Sequence, residues 1–256
     1  MFIYNKLPHS ISAESYKSIR TSIKYASIDR TIKTILITSA VPGEGKSTVA
    51  GNLAIALSEN GNNVLLMDCD LRKPTIHKKF KLSNLYGLTD VLLEMENSSK
   101  AIQSYSSRLK IMATGTIPPN PSEILGSRTF EKFLNGLKNE FDYIIIDCPP
   151  VLAVTDATLL AGKVDGVAYV VKYGKTKDKT VVNGYKELEA VKAPMLGSIL
   201  NACDMKKKDN YYYYYGEKRR LFGRKKSKRV ERAKEAVKEM ETAREQEVIK
   251  EKNATL

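Results

Sequence analysis

Residues Ser39 to Thr48 read SAVPGEGKST, a stretch in which two glycines, a lysine and the two hydroxyls that close it are spaced to surround a polyphosphate. Gly43 and Gly45 let the backbone turn its amides inward, so Gly43, Glu44 and Gly45 can cradle phosphate oxygens. Lys46 can reach β- and γ-phosphates, the Ser47 hydroxyl can bind Mg²⁺, and Thr48 can touch the α-phosphate. The strict phosphate-loop pattern opens on glycine, whereas this one has Ala40, which fits only where the backbone needs no positive φ.

Two further stretches supply carboxylates. LLMDCDLR carries Asp68 and Asp70, and IIIDCPP carries Asp147, each at the end of an apolar run. Residues i and i+2 of a strand share a face, so Asp68 and Asp70 can both look into a crevice beyond a sheet edge. Acids at strand ends are also ordinary turn formers, but three beside a phosphate loop suit phosphoryl transfer. Asp147 is assigned as metal ligand and Asp68 as base and further metal group. Arg72 and Lys73 either steady a phosphoryl group or an acidic substrate, or are solvated surface charge.

The elements that must position these side chains are legible as apolar runs. TILIT (34–38), VLLMD (64–68), LKIMAT (109–114), DYIIID (142–147), GVAYVV (166–171) and LGSIL (196–200) read as strands, most of them too apolar to have a wet face. Between the first two, Val49, Leu53, Ala56 and Leu57 recur at helical spacing, and the helix stops near Gly61. Strand, loop, helix and strand over 34–68 are the context a phosphate loop requires. The fold class is therefore α/β, a P-loop NTPase-type, mostly parallel sheet flanked by helices. Ahead of it, Ser12 is expected to cap a helix whose Tyr16, Ile19 and Ile23 form a narrow apolar stripe.

Composition bounds the rest. The 256 residues are 42% hydrophobic, enough for a substantial core. No apolar run approaches the roughly 18 to 20 residues of a membrane span, and the opening MFIYNKLPHS lacks signal-peptide features, so a cytoplasmic protein is expected. Cys69, Cys148 and Cys203 show no C-x-x-C spacing, and the only histidines are His9 and His77, which argues against a disulfide framework or a zinc site. The division expected is an N-terminal oligomerisation region at 1–30, a phosphate-loop domain at 31–203 and a tyrosine-rich, polybasic tail at 204–256. That tail holds 17 Lys and Arg against 10 Asp and Glu, a net +7.

Within the tail, Asp209 to Gly216 read DNYYYYYG. Five consecutive rings would point to both faces of any strand, and their charged neighbours resist burial, so a structural use is poor. As phosphoacceptors Tyr211, Tyr212, Tyr213, Tyr214 and Tyr215 make sense, because a tethered tail presents each phenol at high effective concentration. Lys218 to Arg229 add eight positive charges and no acid, a run that can bind anionic lipid or stay solvated. Phosphorylation, at about −1.5 to −2 per tyrosine, would oppose that charge and release the tail.

Together these motifs resemble the bacterial tyrosine kinases of capsular and exopolysaccharide synthesis, in their cytoplasmic form, from about Ile11 to Tyr215. The likeness rests on SAVPGEGKST, LLMDCDLRKP, GTIPPNPSEIL, IIIDCPP and the terminal tyrosines. It implies an ATP- and Mg²⁺-dependent autokinase in which Lys46 and Ser47 serve ATP and metal, and Asp68, Asp70 and Asp147 serve metal and transfer. The family also tolerates Ala at the Ala40 position, and an asparagine like Asn201 contacts adenine in related folds. An E-x-x-R-x-x-R motif assembles rings in the family, and Glu14, Lys17 and Arg20 match it with lysine in the middle, which loses the bidentate fork of arginine. Further implied are a membrane adaptor of the polysaccharide chain-length-regulator (Wzz-like) type, a cognate phosphatase, and a place at the inner face of the membrane through that adaptor. Transfer within a chain and transfer to a ring neighbour both remain open.

Two other classes compete. A MinD- or ParA-like ATPase switch on membrane or DNA would carry a further lysine early in the loop, where this chain has Val41, so DNA is not an expected partner. A non-catalytic nucleotide-binding scaffold would leave the tyrosines unexplained.

Overall fold

The computed structural model describes residues 2, 7, 9–26, 30–94 and 100–203, with Glu94 as backbone only. The tyrosine cluster, the basic run and the rest of the tail at 204–256 lie outside the described residues.

Helix α1 (Ile11–Ala26) precedes strand β1 (Thr34–Ser39), helix α2 (Lys46–Ser58) and strand β2 (Val64–Asp68). Two short helices, α3 (Ile76–Phe80) and α4 (Leu88–Glu94), lead to β3 (Ile102–Ser104) and β4 (Leu109–Met112). Helices α5 (Pro121–Gly126) and α6 (Arg128–Leu137) precede β5 (Tyr143–Asp147) and α7 (Asp156–Ala161). Strand β6 (Gly166–Lys172), α8 (Asp178–Ala190) and β7 (Met195–Asn201) complete the order.

The strands form one sheet in the order β3-β4-β2-β5-β1-β6-β7. Every pairing is parallel except β3 with β4. All six expected strands are present, with Ala113 and Thr114 left out of β4. Only β3 was not foreseen, because its three residues, none of them buried, carry no apolar signal.

Apolar layers cover both faces. Ile35, Ile37, Leu66 and Ile145 face α1, α2 and α3, while Leu36, Leu65, Met67 and Ile146 face Leu125, Phe130, Leu160 and Leu188. Helix α2 is buried from Val49 to Ser58 instead of along one stripe, because α1 lies over the side it turns from the sheet. Gly51 lets the Phe2 ring pack directly against the helix backbone, where a Cβ would displace that ring. Ser10, not Ser12, accepts from a first-turn amide of α1, that of Ala13 at 3.2 Å.

Candidate active site

The phosphate loop leaves β1 at the sheet's carboxyl edge and turns on Gly43 (φ 82°) and Gly45 (φ 94°). Both angles lie in the left-handed region that glycine alone adopts without cost. Gly45 also has no room for a side chain, because the amide of Asn201 stands against it. Ala40 is buried and free of positive φ, which meets the condition set for it; its Cβ packs beside Gly184 of α8.

Glu44 is almost wholly buried and braces this loop. Its carboxylate accepts from the Val41 amide at 3.0 Å, the Thr176 hydroxyl at 2.7 Å and the Lys172 amide at 3.3 Å. Asn201 Nδ2 donates to the Glu44 carbonyl at 2.8 Å. The Glu44 side chain is thus structural, and Asn201, with one Nδ2 hydrogen given to the Glu44 carbonyl, ties the end of β7 to the loop.

Asp68 and Asp147 end adjacent parallel strands in register. Asp68 Oδ2 accepts from the Thr75 and Ile76 amides, each at 2.9 Å, and Oδ1 from the Asp70 amide at 3.3 Å. Burial, reinforced by the Asp147 charge, holds the Asp68 carboxyl well above its ordinary range. Neither oxygen of buried Asp147 has a hydrogen-bond partner. Burial raises it to about 7, opposed by the nearby Ser47 hydroxyl, which lacks good hydrogen-bond geometry, and by Lys46. A buried, unpaired carboxylate is costly unless a cation meets it, so Asp147 with Ser47 fits a divalent ion. Asp70, raised by partial burial, accepts from the Lys73 amide at 3.0 Å and borders the same space.

Of these carboxylates Asp70 lines a cavity of about 480 Å³, while Asp68 and Asp147 are fully buried and are not part of its lining. Gly43, Gly45, Lys46, Ser47 and Thr48 form one side, and Pro149, Pro150, Ala153 and Val154 an apolar wall. Lys79 Nζ donates to the Thr48 hydroxyl at 3.1 Å. Arg72 is not free surface charge: its Nε and Nη2 donate to the two oxygens of fully buried Asp156 at 3.0 and 3.2 Å. Ser122 Oγ donates to Asp156 at 2.6 Å and accepts from Arg72 at 2.9 Å.

Sequence reasoning missed Asp156, Ser122, Lys79 and Thr75. Asp156 reads as a helix-start acid and Ser122 as a turn residue, so neither carries a local signal for the pairing with Arg72. Thr75 lines the cavity, and its buried hydroxyl has no hydrogen-bond partner. Among the described residues, no three His, Cys, Asp or Glu side chains form a metal cage.

Far from this cavity, Glu14 and Lys17 pair at 2.7 Å on exposed faces of α1. Arg20 Nη1 donates to the Ala56 carbonyl at 3.1 Å, satisfying an otherwise open group in the last turn of α2. The three residues of the expected ring motif therefore split into a surface pair and a helix cap.

The tyrosine-protein kinase YwqD of Bacillus subtilis (strain 168) is 42% identical over 201 residues, covering 78% of this chain and 85% of that protein. The chain belongs to the bacterial tyrosine kinases. The putative tyrosine-protein kinase CapB of Staphylococcus aureus is 34% identical over 78% of this chain and 88% of that protein. In structure, the kinase domain of the Escherichia coli tyrosine kinase ETK matches with a TM-score of 0.77 at 30% identity, over 82% of this chain and 83% of that one. A family model described as ParA, NUBPL iron-transfer P-loop NTPase, matches residues 30–253, which places this kinase in the wider P-loop class. Among the described residues, no helix of this kinase is long and apolar enough to cross a membrane.

Proposed function

We propose that this tyrosine kinase uses ATP and Mg²⁺ to phosphorylate Tyr211 to Tyr215 of its own kind of chain, and that it acts with a membrane adaptor in polysaccharide synthesis and export. The observation that carries the proposal is the buried Asp147 carboxylate, without a hydrogen bond, beside Ser47 and Lys46 at the phosphate loop.

The amides around Gly43 and Gly45 bind phosphate oxygens, and Lys46 neutralises the outer ones. Ser47 and Asp147 would hold Mg²⁺, which supplies charge neutralisation across the phosphates when bound. The phenol ring lies against Pro149, Pro150, Ala153 and Val154. Asp68 takes the phenolic proton: two amides fix its orientation at Oδ2, and burial raises its basicity. The phenolic oxygen bonds to the γ-phosphorus as the bond to the ADP oxygen breaks.

The domain division extends this reading: residues 31–203 carry the chemistry and 204–256 the acceptor. Residues 1–30 support a ring, with Glu14 and Lys17 the exposed candidates for a neighbour's surface. The polybasic run and a cognate phosphatase then set how long the tail stays charged and away from anionic membrane.

Purified protein incubated with Mg²⁺-ATP, alone and with the cytoplasmic tail of a candidate adaptor, tests the proposal by phosphotyrosine mapping. Phosphate on Tyr211 to Tyr215 that is lost in Lys46→Met and Asp68→Ala supports it. ATP hydrolysis without phosphotyrosine under both conditions would move the assignment to an ATPase switch.

A further inference from the structure

The two sides of the cavity differ in a way that transfer to a neutral phenol does not require. Lys46 already faces the phosphate side, and Lys79 is tied to Thr48. Two more cations, Arg72 and Lys73, are exposed residues that line the same cavity as the apolar wall, and together they form its open, cationic mouth.

Arg72 is built into place. Asp156, fully buried, and Ser122 lock the plane of its guanidinium through Nε and Nη2, which leaves Nη1 for an incoming oxygen. Lys73 is exposed and makes no ion pair among the described residues; its amide is pinned by Asp70 Oδ1 at 3.0 Å. Asp70 is the one acid lining this cavity and buried Asp156 offsets Arg72, so four cations, Lys46, Arg72, Lys73 and Lys79, meet two carboxylates and the lining stays net positive. The mouth therefore favours an anion.

The acceptor segment becomes anionic as it reacts. Each transfer moves one phosphoryl group from ATP to a phenol, releases ADP, sends the phenolic proton to Asp68, and leaves about −1.5 to −2 charge beside the next tyrosine. In an extended chain, neighbouring residues stand ~3.5 Å apart and alternate ones ~7 Å, so a phosphate one or two places away reaches the mouth while its neighbour occupies the wall. Resting on the kinase reading above, we infer that Arg72 and Lys73 form a phosphotyrosine-reading subsite. The preferred acceptor is a tyrosine flanked by one already phosphorylated, so phosphates accumulate within one cluster instead of spreading evenly over all chains.

The test uses the full chain with Tyr211 to Tyr215 changed to phenylalanine, so that its own tail does not compete. Its substrates are two peptides of sequence KKDNYYYYYGEK, one unmodified and one carrying phosphate on the middle tyrosine alone. The primed peptide should show about tenfold higher kcat/KM per free tyrosine in low salt, mostly through KM, falling to roughly twofold at 0.5 M salt as exposed charges are screened. Lys73→Glu should bring the ratio of the two peptides to about one, and Asp156→Asn, which frees Arg72, should lower it partway; a ratio needs no unchanged absolute rate. The wild-type chain gives a second readout: its intact mass early in autophosphorylation should be bimodal, unmodified beside multiply phosphorylated.

Equal kcat/KM for both peptides, a ratio unmoved by Lys73→Glu, or a binomial mass distribution would overturn the subsite while leaving the kinase reading intact. Phosphorylation of neither peptide, with no phosphate on the wild-type tail, would remove the kinase reading and the subsite together.

Discussion

Asp68 and Asp147 face each other in register across β2 and β5, both fully buried, yet backbone amides satisfy Asp68 while Asp147 has none. One carboxylate is thereby oriented, and the other is held ready for a cation.

That asymmetry predicts an effect of Asp147→Asn without divalent ions or nucleotide. The folded carboxyl titrates at about 7 instead of the ordinary 3.8, so the native state binds the extra proton between those values. Its stabilising contribution is complete below pH ~4 and is lost as pH rises through about 7. The variant should melt about 4 °C above the wild type at pH 8, with the gap closing toward pH 4, as read by calorimetry. The same variant should lose about a hundredfold or more of its phosphotyrosine formation.

Gly45→Ala meets two obstacles, a φ of 94° and the Asn201 amide. We expect a loss of about 2 to 4 kcal/mol in denaturant unfolding and a large loss of nucleotide affinity. Adding Asn201→Ala should recover only the steric part, because the backbone strain remains.

Arg20→Ala removes the cation that caps α2 at the Ala56 carbonyl and should cost about 1 to 2 kcal/mol. Glu14→Ala breaks an exposed pair one turn apart and should stay within about 0.5 kcal/mol. Chemical unfolding separates the two, and equal costs would contradict the split of the motif.

Asp165 ties the start of β1 to β6. Against the desolvation of partial burial, the Thr34 amide and hydroxyl, Lys138 and the Lys33 amide hold its carboxyl below the usual range. A depressed carboxyl stabilises above its unfolded value and loses that contribution as pH falls through the folded one. Asp165→Asn should therefore lower the melting temperature at pH 7 and flatten its decline below pH ~4.

Local chemistry alone determined the phosphate loop, its strand and helix, the three aspartates and the six longer strands, because glycine spacing and uninterrupted apolar runs act within a few residues. Tertiary structure decided which partners those side chains found. Arg72 and Asp156 stand 84 residues apart, and Asn201 reaches Glu44 across 157. Ser10 took the cap in place of Ser12, and Arg20 turned inward to a helix end. The Ser10 cap is local and depends on where the helix begins. For Arg72, Asn201 and Arg20 the physical reason is the same: a polar group carries no local record of the partner that will satisfy it, since folding alone brings that distant segment near.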